Sequence, residues 1–266
     1  MYMKSLLLTI LSLITISAFA QPDTSKTVSD TGRLIKTHSF HFTLKHKRDT
    51  VMETPSKAPG FSWGIVFTRI DFGLTTLRDN NSFKLSPQNE FLRYRSWKSS
   101  NVGFDVFQMA YRFNSSFKFY VAAGFDWELI RLRNDITIQK TPDRSGLYYT
   151  NDAINYNKNR FSSSYLRIPI MFDFRSKDND NGTRWHYVLG PELGVLLSGK
   201  VKQVSDENGK QKMFNNYHFT RFRYGAVIRV GHGFLGVFGK YYFNDMFNTV
   251  AQKGLKNISF GFTAGF

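Results

Sequence analysis

Residues 256–266 read K-N-I-S-F-G-F-T-A-G-F. Ile258, Phe260, Phe262, Ala264 and Phe266 hold every second place, and Asn257, Ser259, Gly261, Thr263 and Gly265 fill the gaps with small or polar groups. Successive side chains leave a strand on opposite faces, so strict alternation over this length is a strand signal. One face is apolar, aromatic-rich and uncharged, while the other suits a polar, crowded interior. A soluble sandwich has the same periodicity with its apolar face turned inward. The reading turns on Phe266, which continues the apolar row at the last position, and the apolar face is expected to meet lipid.

The same pattern recurs upstream. Alternating stretches are expected at about 61–74, 102–113, 117–132, 164–175, 184–201, 219–230 and 234–243, with polar segments between them. The clearest is 117–132, where Phe117, Phe119, Val121, Phe125, Trp127 and Leu129 alternate with Lys118, Tyr120, Gly124, Asp126 and Glu128. Pro169 removes one ladder donor from its strand and is expected to mark a bulge. The connections alternate long and short, the rhythm of outer-membrane barrels with long outer loops and tight periplasmic turns. The expected fold is all-β, a transmembrane antiparallel up-and-down β-barrel of about eight strands. A last strand ending in Phe resembles the signal read by the barrel-assembly machinery, and Phe260, Phe262 and Phe266 are the residues expected to carry it.

The other end of the chain agrees. Lys4, the apolar run Leu6–Ile16 and Ala18-Phe19-Ala20 form the pattern of a secretory signal peptide cleaved near Ala20. That run is too short to span a membrane as a helix. Residues 1–20 are therefore expected to be the signal peptide, 21–60 a flexible periplasmic tail and 61–266 the barrel of a Gram-negative outer membrane. His38, His41 and His46 in the tail fit no strong metal-ligand spacing.

The 266 residues contain no Cys, 27 Phe and 20 Gly. An exported fold without disulfides must close by other means, as a barrel does through its ladder. A mean hydropathy of −0.34 accords with a wall in which only alternate residues meet lipid. Lys and Arg number 36 against 20 Asp and Glu. Nucleic acid is not an expected partner of an exported chain. Outer-membrane lipid and lipopolysaccharide are the better match for the positive balance.

Several short motifs resemble a known family. They are Ser164-Tyr165-Leu166-Arg167-Ile168-Pro169-Ile170, Gly190-Pro191-Glu192-Leu193-Gly194, Ser198-Gly199-Lys200 and Phe222-Arg223-Tyr224-Gly225, with Gly231, Tyr241-Tyr242 and the final Phe. Together they resemble the PorT-like outer-membrane β-barrel domain over residues 61–266. The resemblance implies an outer-membrane barrel of about eight strands. The family's namesake works in secretion and gliding-related export, and no residue here is diagnostic of that role.

A barrel of this size has a bore that side chains fill. The inward row is expected to include Asp126, Glu128, Arg167, Asp173, Glu192, Arg223, Arg229 and Lys240, paired into an ion network that seals it. Asp126 and Glu128 share a face and could pass for a catalytic acid pair, but with so many arginines nearby they read as structural. There is no G-x-S-x-G, zinc motif or phosphate loop, so no cofactor and no enzymatic activity are expected. The expected role is structural, anchoring or interacting, with Tyr148, Tyr149 and Tyr156 in loop 133–162 contacting a protein partner. Two alternatives stay open, a rim-active enzyme on lipid or protein and a small-solute channel.

Overall fold

The alternating stretches pair into a ring. The computed structural model describes residues 59–66, 69–139, 143–177 and 183–266. In chain order the strands are Gly60–Ile65 (β1), Ile70–Asp79 (β2), Ser100–Arg112 (β3), Phe117–Arg131 (β4), Ile136–Gln139 (β5), Tyr148–Asn151 (β6), Lys158–Arg175 (β7), Trp185–Ser205 (β8), Gly209–Asn215 (β9), Phe222–His232 (β10), Leu235–Tyr242 (β11) and Leu255–Ala264 (β12). The expected signal peptide, nearly all of the expected tail and its three histidines lie outside the described residues.

Neighbours in the sheet run β3-β2-β12-β11-β10-β8-β7-β4, and β4 pairs back onto β3. Eight strands therefore close an antiparallel, up-and-down barrel. Closure satisfies every strand's backbone groups from both sides, which is what lets strands stand in hydrocarbon. The short turns 113–116 and 233–234 lie at one end with Arg175 and Arg184, and the long connections 80–99 and 243–254 lie at the other.

Two ring positions are built from two pieces. β1 pairs with the second half of β3, Gly60 opposite Arg112, while β2 pairs with its first half, Ile70 opposite Phe104. The stretch expected as one strand at 61–74 is thus interrupted, and it continues to Asp79. The interruption faces a register shift in β3 between Asp105 and Phe107. In the same way β10 pairs with the lower half of β8 and β9 with the upper half. Residues 202–217, expected as a polar loop, complete β8 and form β9.

Pro169 does not mark a bulge. It sits opposite Glu192 without a change of register, and the shift in the β7–β8 ladder lies farther along, where β8 carries the extra residue Leu197 opposite Ser164 and Tyr165. Loop 133–162 is also more ordered than its composition suggests, since β5 and β6 form a hairpin and β7 already begins at Lys158.

The outer surface carries the apolar rows. Phe72, Phe172, Phe174, Leu189, Leu193, Tyr224, Ile228, Phe260 and Phe262 are all exposed on it. Tyr111, Phe113, Trp185 and Tyr187 stand near the short turns, the place of an interfacial aromatic girdle. Phe266 departs from the expectation. The strand stops at Ala264, Gly265 adopts φ +87°, and the Phe266 ring turns into the mouth, 5.2 Å from His186 and against the buried cluster of Tyr120, Met171, Val188 and Val227. The left-handed glycine breaks the parity that alternation assumed.

Candidate functional site

Inside the ring the alternate residues form a charged plug. Asp71 of β2 is its hub, fully buried. Arg229 donates to both its oxygens, at 3.0 and 2.7 Å, Arg167 at 2.6 Å and Thr263 at 2.7 Å. Arg167 also donates to Asp105 at 2.9 Å, and Arg69 lies 3.6 Å from the same carboxylate. One layer up, Asp126 accepts from Arg223, from Lys240 at 2.8 Å and from Asn101 at 3.1 Å. Lys240 reaches Glu192 at 3.0 Å, and Glu192 also accepts from the Tyr242 hydroxyl. Glu128 accepts from Thr75 at 2.7 Å, from Asn257 and from Arg223.

Five carboxylates (Asp71, Asp105, Asp126, Glu128, Glu192) thus meet five cations (Arg69, Arg167, Arg223, Arg229, Lys240). Charges out of water need such partners. Aromatic rings complete the packing. The Arg223 guanidinium lies 3.6 Å from the Tyr165 ring centroid and 4.0 Å from that of Tyr242, and Arg69 lies 4.4 Å from Tyr120. A desolvated cation–π contact contributes about 2 kcal/mol. Two glycines make the room. A Cβ on Gly103 would collide with the Arg167 guanidinium, and one on Gly194 would meet Arg223 Cγ at 2.7 Å.

Of the eight residues expected inside, seven join this plug and Asp173 does not. Asp173 lies near the short-turn mouth, with Lys118 at 3.3 Å, Arg175 at 2.8 Å and His186 at 3.1 Å. Sequence reasoning missed Asp105. Strict alternation from Phe107 and Met109 puts it in the lipid-facing row, and the register shift between Asp105 and Phe107 turns it inward. A lone carboxylate among aromatics was the available signal.

The carboxylates of both acidic sites are engaged by neighbouring side chains. Asp126 and Glu128 are buried and spend their oxygens on partners that hold them fixed. His186 is paired with Asp173, and among the described residues no hydroxyl is hydrogen-bonded to His186. No group of three potential metal ligands occurs among the described residues.

Above the plug the long connections build an apolar cap. Phe161, Phe219 and Phe247 stack at 4.8–5.9 Å, with Tyr217 edge-on to Phe161 at 5.4 Å. Leu77, Leu92, Ile130, Ile136, Ile138, Leu147 and Leu255 bury themselves in the same cluster. The buried Gln252 side-chain oxygen Oε1 accepts from the Leu147 amide at 2.9 Å and from the Thr249 hydroxyl at 2.8 Å, tying loop 243–254 to the residue that leads into β6. Between them lies a groove of about 530 Å³ lined by Glu90, Phe91, Arg93, Asp135, Tyr149 and Gln252, among others. Both Tyr148 and Tyr149 are exposed, but Tyr149 stacks on Phe91 at 4.5 Å, whereas the Tyr148 hydroxyl lies 3.0 Å from Ser145. Tyr156 is half-buried and donates to Asp152 at 3.1 Å. The three tyrosines therefore do not form one surface, and only Tyr149 lines the groove.

Residues 58–248 match the family described as outer membrane protein beta-barrel domain. The crystal structure of Ail, the attachment invasion locus protein of Yersinia pestis, is similar at 14% identity with a TM-score of 0.31, covering 75% of this chain and 95% of Ail. The same protein in complex with the heparin analogue sucrose octasulfate gives the same figures. No curated protein matches the chain.

Proposed function

The chain belongs to the outer membrane protein β-barrel domain family, and from that premise we propose that it is a non-enzymatic anchor that displays its outer cap to a protein partner. The observation that carries this reading is the plug. Five acids and five cations pair with one another across the bore, which makes the barrel a support for the cap and disfavours the channel. The carboxylates are held by structural partners, which disfavours the enzyme. The groove beside Tyr149 is the partner's place in this proposal, since it combines a stacked aromatic pair with Glu90, Arg93 and Asp135 at its edge. The resemblance to the PorT-like domain extends the proposal to a link with secretion or envelope assembly, for which no single residue is diagnostic. Export with cleavage near Ala20, and recognition of Phe260, Phe262 and Phe266 by the assembly machinery, belong to the same proposal.

A photo-crosslinking residue placed at Tyr149 in living cells tests the cap. The proposal expects a discrete protein adduct from Tyr149 and none from Phe222, which points to lipid. Adducts from neither position, or equal adducts from both, would remove the cap as the partner surface. A deletion strain whose secreted proteins are unchanged would remove the secretion link.

A further inference from the structure

Four cations stand side by side on the outside of the wall, above the apolar band. The register sets Arg131 of β4 opposite Arg160 of β7, Arg160 opposite Lys202 of β8, and Lys202 opposite Lys212 of β9. Their chain neighbours Ile130, Phe161 and Val201 are buried, so the cations face outward. Like charges directly opposite destabilise a strand pair, and here the arrangement occurs three times in one row. Lys158 and Lys210 crowd it further. Repulsion from Arg160, with smaller effects of burial, Arg131 and Lys210, holds the Lys158 ammonium below the usual lysine range. Among the described residues none of the four makes an ion pair. At the β8–β9 turn, Asp206 accepts instead from Asn157 at 2.8 Å.

A fold keeps such a row when something outside it supplies the opposite charge, and its depth indicates what. Arg131 is two residues beyond Leu129 and four beyond Trp127, the last outward apolar side chains of β4. At about 3.4 Å per residue Arg131 sits roughly 7 Å past the apolar band of β4, at headgroup level, and the row runs outward from there, with Arg160 beyond Leu166 and Ser164 on β7 and Lys202 beyond Leu197 and Lys200 on β8. Trp97, 87% exposed between Arg95 and Lys98, lies at one end of the row, where the Arg95 amide donates to the Arg131 carbonyl at 2.8 Å. Exposed Trp beside Lys and Arg is the usual composition of a membrane interface.

We propose that the row Arg131–Arg160–Lys202–Lys212 is a binding site for the phosphate groups of outer-leaflet lipid headgroups. It rests on the outer-membrane barrel and is independent of the cap groove. Each cation near an anionic surface is worth about fivefold in affinity, so the row favours lipids that carry more than one phosphate.

The purified full chain in neutral detergent tests this with three probes: bis-phosphorylated lipid A, the same lipid with its phosphates removed, and inorganic phosphate. The expected result is saturable binding of the phosphorylated lipid, with a rise in unfolding temperature that the other two do not reproduce. Arg160→Gln/Lys202→Gln should bind it roughly 30-fold more weakly and, relieved of repulsion, unfold no lower than the parent in neutral detergent alone. Arg131→Gln/Lys212→Gln should behave alike, which covers misfolding of the first variant. Lys84→Gln/Lys253→Gln removes the same charge elsewhere and should bind as the parent does. Undiminished binding by both row variants would overturn the site, as would equal binding of the dephosphorylated lipid. Equal protection by inorganic phosphate would reassign the row to the free anion and overturn the lipid.

Discussion

Asp71 is the residue most tightly tied into the lumen. It holds both Arg229 and Arg167; Arg167 also has Asp105, whereas Asp71 is the one carboxylate paired with Arg229. Replacing it by Ala leaves two buried guanidiniums short of charge, which costs about 3–5 kcal/mol. Denaturant unfolding in micelles should find Asp71→Ala destabilised on that scale. Glu90→Ala, which breaks an exposed pair with Arg93, should change stability by less than about 1 kcal/mol. Equal effects from the two would mean that the plug is not a stabilising unit. Gly103→Ala probes the same layer from the other side, because its methyl group must displace the Arg167 guanidinium. Its cost should shrink when Arg167 is itself replaced by Met, and a double-mutant cycle with no coupling would contradict the close packing.

At the scale of the element, β3 carries the least expected feature. The register shift beside Val106 is what turns Asp105 into the bore, opposite the break between β1 and β2. Deleting Val106 should restore simple alternation while Asp105 stays inward and Phe107 outward, so the compact band of the unboiled protein on a gel should be retained. Loss of that band would show that the extra residue is needed to close the ring opposite the break. Bulges also explain what alternation could not reveal. The rows on β4 and β12 were legible because they run straight, Phe117–Leu129 and Ile258–Phe262 each keeping one parity. Asp105 and Phe266 were misplaced because a bulge and a left-handed glycine each change parity by local backbone geometry that side-chain type does not encode. Pro169 announced a bulge that the chain placed instead in the neighbouring strand β8, at Leu197.

For the whole molecule, the ring and much of the plug were readable, and the cap was not. Inward charges recur at every second place along strands, so Asp126, Arg167, Glu192, Arg223, Arg229 and Lys240 could be assigned to one lumen. Which carboxylate meets which cation depends on strand stagger, and this is why Asp173 separates to the mouth with His186. The cap residues Phe91, Leu92, Leu147, Met246 and Phe247 come singly or in pairs from polar loops. They have no period to detect, and only the closed ring brings them together. The result is a barrel sealed twice, by ions in the bore and by hydrocarbon at the outer end. The most direct test of that sealing is the conductance of the purified full chain in a planar lipid bilayer. The account predicts insertion, verified by the heat-shifted compact band, with a silent current trace across the voltage range. Stable open-channel steps from the same preparation would contradict the plug, and the barrel would then have to be regarded as a pore.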